Sequence, residues 1–101
     1  MLQIENIRAY CNDDTIYLTE HLLSRMRQRS IKLEDIKNTI TEGEIIEQYQ
    51  DDYPFPSCLI SSKKMHVVCS LSSEYLYIIT AYRPSIEQWD AEGMKRKENN
   101  I

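Results

Sequence analysis

The apolar residues of this chain change period at Gly43. Before it, Leu22 and Met26, with Leu23 beside them, and then Leu33, Ile36 and Ile40 recur at helical spacing; after it, Ile45, Glu47 and Tyr49 alternate with Ile46 and Gln48 as strand residues do. A single switch from a helical period to a period of two predicts an α+β domain, with short N-terminal helices packed on an antiparallel sheet. The chain has 101 residues, enough for one hydrophobic core and too few for two. Residues 1–90 therefore read as one domain, and 91–101 as a charged tail that frays.

Local signals place the elements. Leu2–Tyr10 suits a short helix, and Asn12-Asp13-Asp14 is a turn before Ile16-Tyr17-Leu18, a brief strand or extended lead-in. Thr19 is an N-cap for a helix over Glu20–Arg29, whose arc Leu22, Leu23 and Met26 faces the core. The next helix runs over Leu33–Glu42, and Gly43 stands where a positive φ is wanted. Prolines 54 and 56 end the first strand, Ser57–Ser61 is the second, and Met65–Leu71 with Tyr75–Tyr82 forms an antiparallel hairpin. A three-residue hairpin loop sets His66 opposite Thr80; a two-residue loop sets it opposite Ile79. Trp89 reads as a core plug.

Composition excludes several classes. No apolar run approaches the roughly 20 residues that cross a bilayer, and Gln3 and Glu5 follow Met1-Leu2 where a signal peptide carries basic and then apolar residues. A cytoplasmic location is expected. Three cysteines without a C-x-x-C pair support neither a disulfide framework nor a zinc knuckle, and no phosphate loop or cofactor motif is present. We expect neither metal nor cofactor. The net charge of −4 argues against simple nucleic-acid adhesion, yet Arg25, Arg27, Arg29 and Lys32 follow one another with no acid between them.

The residues able to carry chemistry are His, Arg and Tyr. His21, Arg25 and Arg29 recur every fourth position and form one polar stripe on their helix, suited to phosphate or simply to solvent. Arg29 could instead pair with Glu44 or Glu47. His66 shares a sheet face with Val68 and Ser70, opposite Met65, Val67, Cys69 and Leu71, as a catalytic or a structural imidazole. Thr80, Tyr82 and Arg83 end the last strand with a hydroxyl, a phenol and a guanidinium, a phosphate-binding set or an edge tyrosine beside a salt-bridged arginine.

Taken together, Thr19-Glu20-His21, the run Arg25 to Ile31, Glu34-Asp35-Ile36, Gly43 to Glu47, Tyr53-Pro54-Phe55-Pro56-Ser57-Cys58-Leu59, Met65-His66-Val67-Val68 and Ile79-Thr80-Ala81-Tyr82-Arg83-Pro84 form a spaced pattern. It resembles a small bacterial and phage domain family similar to the RelE/BrnT-type toxins of toxin-antitoxin systems. Ser30 stands where that pattern has glycine. The resemblance implies a RelE/BrnT-like fold, ribonuclease activity and control by a cognate antitoxin. On this reading the chain is a metal-independent, toxin-type endoribonuclease working through the RNA 2′-hydroxyl. His66 or His21 serves as base or acid, Arg25 and Arg83 hold the phosphate, Tyr82 orients it, and Arg29 and Thr80 join Arg25 in binding RNA. The alternative is a non-enzymatic protein-binding or regulatory module that uses the acidic strand or the sheet edge.

Overall fold

The computed structural model describes residues 1–90 and 93–96. Its elements are α1 (Ile4–Ala9), β1 (Ile16–Leu18), α2 (Glu20–Arg29), α3 (Leu33–Glu42), β2 (Glu44–Tyr49), β3 (Ser57–Ser61), β4 (His66–Leu71) and β5 (Leu76–Tyr82). Residues 97–101, on which most of the fraying expectation falls, lie outside the described residues, as do 91 and 92.

The caps explain why the helices sit where they do. Thr19 Oγ1 accepts from the Leu22 amide at 3.0 Å at the start of α2, and Asp35 Oδ2 accepts from the Lys32 amide at 2.9 Å at the start of α3. Ser30 takes the left-handed conformation after α2 (φ 55°), the backbone state that explains a glycine in the related pattern. Gly43 does not share it. Its φ is −87° and its ψ −171°, so the expected positive φ is corrected: a Cβ there would meet Thr39 O at 2.5 Å and Ser61 O at 2.6 Å. Close backbone approach, not handedness, demands glycine.

The five strands lie in the order β1-β5-β4-β3-β2, and every neighbouring pair is antiparallel except β1 with β5. The expected wholly antiparallel sheet is thus corrected at its β1 edge, where the long connection through both helices and the other strands allows a parallel pair. Between β4 and β5, Leu71 pairs with Leu76 across the turn at 72–75, and a bulge at Ile79 shifts the register. His66 therefore faces Tyr82, and Thr80 faces Val68, which corrects both loop-based registers.

One sheet face carries Cys58, Ile60, Val67, Cys69, Leu76, Ile78 and Ala81 against Ile7 of α1, Leu22 and Met26 of α2, and Ile36 and Ile40 of α3. Leu23 departs from its expected arc and is 37% exposed. The cysteines are free thiols, with Cys58 and Cys69 buried opposite each other across β3 and β4. The second face carries Glu47, Tyr49, Leu59, His66, Val68, Ser70, Tyr77, Thr80 and Tyr82, as the pairings require. No helix covers it. Leu59 and Trp89, buried but outside the main core, show that the segment following Pro84 covers part of it instead.

Candidate functional site

The end of the second face that holds His66 is closed. His66 has no exposed surface. Its Nε2 lies 2.5 Å from the Gly93 carbonyl, which can only accept, so Nε2 carries the hydrogen and Nδ1 accepts from the Tyr82 hydroxyl at 3.3 Å. Trp89 stands edge-on at 4.4 Å between ring centroids. Burial holds the imidazole pKa below its ordinary value and pushes the Tyr82 phenol up. His66, expected as acid or base, is thus placed as a buried imidazole with both ring nitrogens hydrogen-bonded beneath a tryptophan.

The neighbours of His66 are engaged too. Arg96 binds Glu47 through two bonds of 2.7 and 3.0 Å and lies over the Trp89 ring at 4.5 Å, holding the returning segment down. The same arginine draws Glu47 below the usual carboxylate range, while burial, followed by Glu47, pushes the Tyr49 phenol up to about 12. Glu47 is therefore not the partner of Arg29. Arg83, expected on the phosphate, donates to Arg29 O at 2.6 Å and Ser30 O at 3.2 Å. It closes the C-terminus of α2, whose last carbonyls need a donor.

The other expected residues gather along the free edge of β5. Strand β1 pairs with β5 only through Ile78, and α2 packs along β5 beyond that point. Arg29 Nη1 donates to Ala81 O at 2.9 Å and lies 3.5 Å from Thr80 Oγ1. Two turns back, exposed His21 lines a cleft of about 500 Å³ with Thr19, Asp52, Phe55, Ser70, Tyr77 and Ile79 among its walls. Arg25 lies one turn from each and is exposed. The structure thus brings His21, Arg25, Arg29 and Thr80 together along one edge. The cleft contains none of His66, Tyr82 or Arg83.

Sequence reasoning missed the cleft's far wall. The loop between β2 and β3, which includes a cis Tyr53–Pro54 bond, folds over the second sheet face so that Phe55 stacks near-parallel on Tyr77 at 6.3 Å. Tyr77 meets Tyr17 at 5.2 Å and Tyr75 at 6.2 Å. The Ser57 hydroxyl donates to Asp52 and fixes the loop's base. Alternation could have put Tyr75 and Tyr77 on one face, but no local pattern in 51–56 tells that Phe55 meets them. Chemically, the cleft offers one accessible imidazole, aromatic faces and a cationic approach along α2. Among the described residues, no three His, Cys, Asp or Glu side chains cluster as metal ligands would.

The sequence profile of a family described as a domain of unknown function, DUF4258, matches residues 18–83. That span runs from the end of β1 through Arg83 and includes the whole α2 stripe and the cleft. No curated protein matches the chain, and no solved structure does. No helix among the described residues is long and apolar enough to cross a membrane.

Proposed function

We propose, for a chain that belongs to the DUF4258 family, the activity of a toxin-type endoribonuclease centred on the His21 cleft. The motif resemblance to RelE/BrnT-type toxins motivates the reaction class. The observation that carries the site is the placement of His21, the accessible imidazole, in a cleft at the head of the stripe formed by Arg25 and Arg29. In this reading His21 takes the proton of an RNA 2′-hydroxyl as that oxygen bonds to the adjacent phosphorus. The bond from phosphorus to the 5′ oxygen breaks, and the imidazolium returns the proton to that leaving oxygen. The products are a 2′,3′-cyclic phosphate and a 5′-hydroxyl. Arg25, and the N–H groups of Arg29 not spent on Ala81, stabilise the phosphorane charge.

The reaction draws no metal into any step. Purified protein should cleave single-stranded RNA in excess chelator and leave cyclic phosphate ends; intact RNA, free or on ribosomes, would overturn the reading. The proposal places the chain in the cytoplasm, with a cognate antitoxin as its partner. A second reading, a non-enzymatic binding module, is favoured by a different observation: acidic β2 forms an outer edge of the sheet, the kind of edge to which a partner adds a strand.

A further inference from the structure

We propose that the second sheet face, beside the cleft, is a base-stacking platform for single-stranded RNA. The proposal rests on the RNA reading above and names what that RNA must look like. Tyr17 of β1 and Tyr77 of β5 are register partners, and Phe55 continues the row from the loop, with successive ring centroids 5.2 and 6.3 Å apart. Tyr75 extends the cluster at its β1 side, 6.5 Å from Tyr17. These rings are not core residues: Tyr17 is 49% exposed, and Tyr75 and Phe55 are each 40% exposed. Contiguous aromatic surface left in water marks a binding face.

Charge decides what binds there. The stripe of His21, Arg25 and Arg29 flanks the same edge of β5, and no acid stands between residues 25 and 32 in the sequence. A polyanion with flat, apolar groups at short intervals satisfies both surfaces at once, and single-stranded RNA is such a ligand. Its phosphates follow α2 while its bases lie on the rings, as in other sheets that bind unpaired RNA. A duplex presents base edges in its grooves and hides the base faces, so it cannot use the platform. Asp52, in the cleft wall with one oxygen taken by Ser57, repels phosphate from the loop side and accepts from base amino groups, which orients the strand. The row is long enough for two or three bases.

The test measures binding apart from cleavage. A fluorescent 2′-O-methyl single strand, which cannot react, and the same sequence in a duplex are titrated against the protein at low salt. The single strand should bind, the duplex at least tenfold more weakly. Phe55→Leu and Tyr17→Ala, both at exposed positions, should each weaken the single strand about tenfold, and Phe55→Trp should restore it. A 2-aminopurine base in the strand should be quenched on binding to the native protein and not to Phe55→Leu. Equal affinity for duplex and single strand, unchanged binding by both variants, or no RNA binding at all overturns the platform. If the 2′-O-methyl strand binds in the expected pattern and the 2′-hydroxyl strand stays intact, the platform stands and the endonuclease reading falls. If both variants bind and cleave RNA as the native protein does, the platform falls and the endonuclease reading stands.

Discussion

At the scale of single residues, burial of an uncharged imidazole gives stability a definite pH dependence. His66 titrates below its ordinary value of 6.5 in the folded chain because protonation there is opposed by desolvation. The unfolded chain therefore binds the extra proton first, and stability present above about pH 6.5 is lost progressively as pH falls toward the folded pKa. Glu47, held low by Arg96, adds a second loss at more acidic pH, as pH falls below its ordinary 4.5 and through its lowered folded pKa. We predict a thermal midpoint that drops between pH 7 and pH 5.5, and a flatter profile for His66→Gln, which keeps a hydrogen-bond donor and has nothing to titrate. A His66→Gln profile as steep as the native one would show that His66 is not the group responsible. The alternation around residue 66 did reveal which face the side chain takes. It could not reveal burial, because the residues that cover His66 begin more than twenty positions later.

At the scale of elements, helix ends and sheet registers behaved differently. The caps at Thr19 and Lys32 act within one turn, and both long helices match their sequence-derived bounds. The β4–β5 register depends on a bulge, which adds one residue without disturbing the apolar pattern enough to be read. The role of Arg83 follows from tertiary packing: its guanidinium reaches the last carbonyls of α2, more than fifty residues away in sequence. Replacing it with alanine removes two charge-assisted bonds at an exposed helix end. We expect a loss of about 1 kcal/mol in urea denaturation, with the cleavage rate of the folded protein unchanged. A rate reduced a hundredfold at unaltered stability would return Arg83 to the chemistry.

At the scale of the whole molecule, the second sheet face is divided between structure and proposed function. One end is shut by Trp89, Gly93 and Arg96; the other stays open beneath Phe55 and beside α2. Trp89 is 2% exposed, and removing its ring uncovers His66. Trp89→Ala should cost about 3–5 kcal/mol in urea denaturation and abolish the pH dependence assigned to His66; a loss below 1 kcal/mol would mean that the segment does not stabilise the sheet. The α2 stripe was legible because helical spacing is local. The division of the face was not, since it depends on where two distant segments fold back.

In the proposed reaction the two histidines divide the work, with chemistry at His21 in the cleft and a structural place for the buried His66. Single-turnover cleavage of one RNA oligonucleotide in chelator, by His21→Ala and by His66→Gln at a temperature where both are folded, separates these roles in one assay. We predict a loss of about 10²–10⁴-fold for His21→Ala and a rate within a few-fold of native for His66→Gln. A His66→Gln protein that is folded and inactive, beside an active His21→Ala protein, would contradict this division.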